Sequence, residues 1–188
     1  MTEENITYLI PPGHIRCFIS QKLRKDTPEE NVRQRWARSL VDEYGYPKSD
    51  IRLEFPINMG SSTKKADIVI FKPGAKHIQE EIIIIVEAKR EEIKFTDRSK
   101  GEGELKSYIA ASSSCKYGLW VGKERRAYEK LESGSIEPIA DIPRAGEDRP
   151  RRPERADLQI AHDLTGIFRR CHNYIHVNGG LQKAEAFH

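Results

Sequence analysis

The chain has 188 residues, room for one domain of ordinary size plus an extension, and 37% of them are hydrophobic against 32% charged, polar for a globular protein but with clear apolar runs. No apolar run approaches the roughly 18 residues of a membrane span, and the amino terminus, Met1 to Asn5, lacks a basic and apolar leader, so no membrane and a cytoplasmic location are expected. The net charge of +3 is too small to argue for nucleic acid by itself, and the three cysteines, Cys17, Cys115 and Cys171, fit neither a disulfide framework nor a zinc site.

The first 26 residues carry a turn at Pro11-Pro12-Gly13 and a short apolar patch, Ile15, Cys17, Phe18 and Ile19, ahead of the basic Lys22 to Lys25; no chemistry attaches to them. Thr27 begins a helix as its cap, with Pro28 at the first helical position and Glu30 three residues on. Val32, Trp36, Leu40 and Tyr44 recur every four residues as its core-facing stripe, and Gly45 with Pro47 stops it. Ile51 to Ile57 alternates apolar and polar residues and reads as the first strand of a sheet, at an edge or bulge because of Pro56. Asn58 to Lys65 reads as a polar turn whose Lys64 and Lys65 either touch phosphate or are simply solvated.

The next two runs are the centre of the chain. Ala66 to Phe71 alternates so that Asp67, Val69 and Phe71 share a face. Glu81 to Arg90 opens with four isoleucines and a valine, apolar on both faces, as expected of a strand in the middle of a covered sheet. It then ends on Glu87, Ala88 and Lys89, and the two-residue spacing puts Glu87 and Lys89 on one face at the strand's carboxyl end. The turn-rich segment from Lys72 to His77 onward reads as a hairpin connection. If it centres near His77, facing residue numbers sum to about 154, so Phe71 meets Ile83 and Asp67 meets Glu87. Two facing carboxylates make sense with a cation between them, such as Mg²⁺.

After Lys89 a polar connection runs to Gly101, followed by a helix over Glu102 to Ser112 with Leu105, Tyr108 and Ile109 as its apolar stripe. Tyr117 to Gly122 reads as a further strand and Ile136 to Ile139 as a short last one. From Asp141 the prolines and the four arginines between Arg149 and Arg155 mark an extended linker, a solvated tether or a DNA-contacting arm. Beyond it, Leu158, Ala161, Leu164 and Phe168 have helical periodicity. His172 and His176 lie four apart, but no third ligand follows, so they do not make a zinc site.

Asp67, followed 20 residues later by Glu87-Ala88-Lys89, resembles the PD-(D/E)xK nuclease motif, in a setting similar to the amino-terminal endonuclease domain of type I restriction enzyme R subunits. Thr27 to Gln34, Tyr44-Gly45-Tyr46 and Gly103 to Tyr108 fall where that family's helix, turn and post-motif helix fall, so that the likeness covers roughly residues 14 to 125. It implies an α/β fold, a restriction-endonuclease-like core with a mixed central β-sheet flanked by helices. It also implies a Mg-dependent endodeoxyribonuclease in which Asp67 and Glu87 hold Mg²⁺ or Mn²⁺ and Lys89 lies close to the attacking water. The family's helix glutamate at the metal site corresponds to Glu30, which read on its own closes a capping box; both roles stay open. The expected DNA contacts are Lys64, Lys65, Glu104 and Tyr108. Glu104 stands where the family commonly shows Gln, and a carboxylate cannot donate hydrogen bonds as an amide does.

The partners so implied are double-stranded DNA, two copies of the domain on one duplex, and modification and specificity subunits or domains of a restriction-modification system. Cys171 to Leu181 resembles the opening helices of adenine-N6 DNA methyltransferase subunits, which implies a nuclease domain ahead of a methyltransferase in a longer polypeptide. The organisation expected is a nuclease domain over 1–140, a Pro/Arg-rich linker over 141–155 and the helical start of a following domain over 156–188. The alternative is a catalytically silent DNA-binding or subunit-docking module attached to such a methyltransferase.

Overall fold

Thr27 starts the first helix as its sequence predicts: its Oγ1 accepts the Glu30 N–H at 3.1 Å, and Pro28 opens α1 (Pro28–Asp42). The computed structural model describes residues 10–97 and 100–150. The helices expected over 156–188, with their methyltransferase resemblance, and the end of the linker lie outside the described residues. Gly45, at φ 79°, turns the chain after α1 in a conformation that suits glycine. Val32, Leu40 and Tyr44 are buried as expected, whereas Trp36 is only half-buried. The stripe that faces inward is Glu30, Arg33, Ala37, Leu40 and Tyr44, spaced alternately three and four apart and buried throughout. Its amino-terminal end is charged.

Ahead of α1, β1 (His14–Arg16) and β2 (Leu23–Lys25) form a two-stranded antiparallel hairpin. A six-stranded sheet then runs in the spatial order β3 (Ile51–Asn58), β4 (Thr63–Phe71), β5 (Ile82–Ala88), β6 (Tyr117–Val121), β7 (Arg125–Lys130) and β8 (Ile136–Ile139). All neighbours are antiparallel except β5 and β6, which are parallel and connected through α2 (Glu102–Ala111), so the sheet is mixed. Pro56 sits on β3, the edge strand, where a missing N–H costs least.

The helices cover opposite faces. Val32, Ala37 and Leu40 of α1 pack with Ile68, Ile70, Ile84 and Val86, while Leu105, Tyr108 and Ile109 of α2 pack with Val69, Phe71, Ile85 and Trp120. This alternation follows from the period of two along β4 and β5, and each fully buried isoleucine contributes about 1.5–3 kcal/mol.

Four expectations change. Phe71 pairs with Ile82 rather than Ile83, because the register shifts between Ile70 and Phe71. Lys64 and Lys65 lie in β4, opposite Ile57 and Pro56, not in a turn; the partner strand supplies a ladder that their polar side chains do not advertise. β7, with only Ala127 and Tyr128 buried, was not expected at all. The first part of the expected linker packs on the domain: Tyr44 Oη donates to Asp141 at 2.8 Å, Tyr46 Oη to the Pro143 carbonyl at 2.8 Å, and Ile142 is buried.

Candidate active site

The register of β4 and β5 decides the site. Ile68 faces Val86 and Val69 faces Ile85, and one further step in that register sets Asp67 opposite Glu87. The two carboxylates take over the ladder there. Asp67 Oδ2 accepts the Ala88 N–H at 2.8 Å, and Glu87 Oε1 accepts the Asp67 N–H at 3.1 Å. Each is thus held by the backbone around the other, with Asp67 7% and Glu87 2% exposed.

Side chains of both helices close on this pair. From α1, Arg33 donates Nε at 3.0 Å and Nη2 at 2.5 Å to Asp67 Oδ1, and its Nη1 to Glu30. Gln34 Nε2 holds the other Glu30 oxygen at 2.6 Å. Glu30 therefore turns its carboxylate to Arg33 and Gln34, while the Thr27 hydroxyl alone makes the cap. From α2, Glu104 Oε2 accepts from Lys89 Nζ at 2.8 Å, and Tyr108 Oη donates to Glu104 Oε1 at 3.0 Å. Lys89 also reaches Glu87 Oε2 at 3.0 Å.

Glu54, on β3 at φ 52°, breaks the pairing opposite Asp67; its carboxylate lies 3.0 Å from Arg24 of the hairpin and 3.7 Å from Arg33. Arg24 also reaches Glu30 at 3.5 Å.

Charge is out of balance here. Glu29, Glu30, Glu54, Asp67, Glu87 and Glu104 are six carboxylates against three cations, Arg24, Arg33 and Lys89, an excess of three negative charges with all ionised. Burial, and then the Asp67 charge, push the Glu87 carboxyl up to about 8 against the pull of Lys89. Burial pulls Lys89 the other way, but the Glu87 charge and the bonds to Glu104 and Glu87 outweigh it, so its pKa is raised and it stays protonated.

Of the residues expected from the sequence, the structure brings Asp67, Glu87 and Lys89 together. Glu30 is joined to Asp67 only through Arg33, and among the described residues no three His, Cys, Asp or Glu side chains gather into a group that could hold a metal ion. Glu104 is at the site through Lys89, whereas Tyr108 is 2% exposed and uses its hydroxyl on Glu104. Lys64 and Lys65 are exposed at the start of β4, Lys65 two residues before Asp67 and so on its face of the strand. Arg33, Gln34, Arg24 and Glu54 belong to the site and were not expected. No local pattern marks Arg33, because the inward stripe of α1 continues into charged Arg33 and Glu30, where an apolar stripe would end.

A mixed sheet covered on both faces, with a carboxylate pair and a lysine where its central strand ends, is compatible with a restriction-endonuclease-like core. The family model for the type I restriction enzyme R protein N terminus matches residues 28–143, and the chain belongs to that family. No curated protein and no solved structure matches it. Membership suggests DNA and the other components of a restriction-modification system as partners. Among the described residues no helix is long and apolar enough to cross a membrane.

Proposed function

We propose that this domain is a metal-dependent endonuclease that hydrolyses DNA phosphodiester bonds in a restriction-modification system, with Mg²⁺ or Mn²⁺ as its cofactor. The observation that carries the reading is the backbone-locked pair of Asp67 and Glu87, buried with more negative charge around it than positive. Hard oxygen donors with more negative than positive charge around them fit a divalent cation of this kind. Asp67 and Glu87 would hold it, and Glu30 would join them only if Arg33 moved aside. The bound ion supplies polarisation of the scissile phosphate and lowers the pKa of a coordinated water.

The protein's own groups do the rest. Lys89, kept protonated by Glu87 and Glu104, offsets the charge that grows on the phosphorane oxygens; in this arrangement it has no lone pair with which to accept the proton of water. Tyr108 holds Glu104, and Glu104 with Glu87 fixes the ammonium group at the end of β5. Lys65 stands on the Asp67 face of β4, where a phosphate would pass. Cutting two strands calls for two such sites, hence two copies on one duplex.

Calorimetric titration of Mn²⁺ with and without a short DNA duplex, beside Glu87→Ala, tests this. Binding that disappears in the variant supports the carboxylate site. No binding in either protein with DNA present favours the second reading, a silent DNA-binding or docking module, for which the observation is that Lys89 is already shared between two carboxylates. That reading predicts DNA affinity unchanged in Asp67→Ala and no strand scission with any divalent metal.

A further inference from the structure

We propose that the amino-terminal hairpin of β1 and β2 is a DNA-gripping arm, which lays the backbone of double-stranded DNA beside the carboxylate site. The inference rests on the nuclease reading and adds to it the surface on which the substrate lies.

Charge is the first argument. Residues 28–143, the part that the family model matches, hold 20 Lys and Arg against 20 Asp and Glu, no net attraction for a polyanion. Residues 14 to 25 hold Arg16, Lys22, Arg24 and Lys25 and not one acid. The family core is neutral, and the hairpin in front of it is not.

Geometry is the second. In the hairpin register His14 faces Lys25, Ile15 faces Arg24 and Arg16 faces Leu23. Facing residues share a side and successive residues do not, so Ile15 and Arg24, both half-buried, form the inner side. His14, Arg16, Leu23 and Lys25 form the outer side, and all four are exposed.

The inner side is fastened to the site itself. Arg24 binds Glu54 at 3.0 Å and Glu30 at 3.5 Å, and the Phe18 N–H in the hairpin loop donates to Gln34 Oε1 at 2.6 Å. The outer cations therefore stand one strand's thickness from the carboxylates that surround Arg33. At the loop, Lys48 Nζ lies 3.7 Å and the Arg38 guanidinium 4.6 Å from the centre of the Phe18 ring, which brings two more cations to the same end.

The third argument is distribution. These cations are spread along two short strands and a loop instead of converging on one point, as a row of phosphates requires and a single anion does not. Leu23, half exposed among them, suits a sugar edge rather than an ion.

Fluorescence anisotropy of the full 188-residue chain with a short labelled duplex, over a salt series with Ca²⁺ in place of Mg²⁺, tests the arm. Lys22→Gln with Lys25→Gln is expected to make the slope of log affinity against log salt shallower by about 1.8, at about 0.9 for each phosphate no longer neutralised. The same charge removed at Lys72 and Lys76, in the turn after β4, is expected to leave the slope unchanged. Equal slopes for wild type and the hairpin variant, or equal losses in both variants, overturn the proposal and leave the nuclease reading standing. A wild-type chain with no duplex affinity at low salt overturns both.

Discussion

The guanidinium of Arg33 covers Oδ1 of Asp67 with two nitrogens, at 3.0 and 2.5 Å, and gives its third to Glu30. One buried side chain of α1 is thus the counter-ion of carboxylates on two different elements. Buried charge is tolerated when it is paired and hydrogen-bonded, so Arg33 is what allows Asp67 and Glu30 to be taken out of water. A metal ion held by Asp67, as proposed above, would have to share that carboxylate with Arg33.

Arg33→Met keeps the length of the stem and removes the charge. Without metal, the variant is expected to lose about 3–5 kcal/mol of stability, the cost of leaving buried carboxylates without their partner. Mn²⁺ is expected to restore more of that loss than it adds to the wild type. Urea unfolding in EDTA and in Mn²⁺ reads both effects; a variant within about 1 kcal/mol of wild type in EDTA would mean that Arg33 is not the counter-ion.

Glu104→Gln puts an amide beside Lys89, where a carboxylate now lies at 2.8 Å. The lysine keeps Glu87, loses its second carboxylate and gains a neighbour able to donate to phosphate. Tyr108 can still donate to the amide oxygen, so the loss is confined to the bond from Lys89, about 1.5–3 kcal/mol. Plasmid nicking with Mn²⁺ is expected to rise about tenfold, the weight of one hydrogen bond directed at the substrate. An unchanged rate would place Glu104 in a purely structural pair.

Gly118 on β6 lets α2 come close to the sheet. A Cβ there would run into Ile109 Cδ1 and come within 3.2 Å of Leu105 Cδ1, both side chains being fully buried. Gly118→Ala is expected to cost about 1–3 kcal/mol by overpacking, and to loosen the helix that carries Glu104. A urea midpoint equal to that of wild type would show that α2 accommodates the methyl group without strain.

Much of this site was legible because strands have a period of two and a hairpin fixes what faces what. The sum of 154 placed Asp67 against Glu87 and holds from Ile68 to Ile70 with Val86 to Ile84; it fails at Phe71, where the register shifts by one, an event that no side chain announces. The cap at Thr27 was equally local and equally readable. Arg33 was not. The apolar stripe through Val32, Trp36, Leu40 and Tyr44 packs into the core as expected, yet burial extends beyond it to Glu30 and Arg33. Burial of those charges makes sense only once Asp67, 34 residues away in sequence, is brought against them. The hairpin strands, at three residues each, are too short for any periodicity to emerge.

Glu87 should make stability depend on pH in the sense opposite to most acidic residues. In the unfolded chain its carboxyl titrates near 4.5; in the fold, burial and the charge of Asp67 push it up to about 8. The groups around it are Asp67 from β4 and Lys89 just past the end of β5, with Arg33 of α1 acting through Asp67, and Glu104 and Tyr108 of α2 acting through Lys89. Between those two pH values the folded state holds a proton that the unfolded state has released, so stability falls as pH rises through the window from about 4.5 to about 8. The metal-free protein is therefore expected to need more urea near the acidic end of that window than near its basic end. Glu87→Gln, which cannot ionise, is expected to flatten the slope. Mn²⁺ should act in the other direction, because it binds the ionised carboxylate: its stabilising effect on the wild type grows towards the basic end. Parallel pH profiles for wild type and Glu87→Gln without metal would show that the carboxyl group of Glu87 is not the one that titrates.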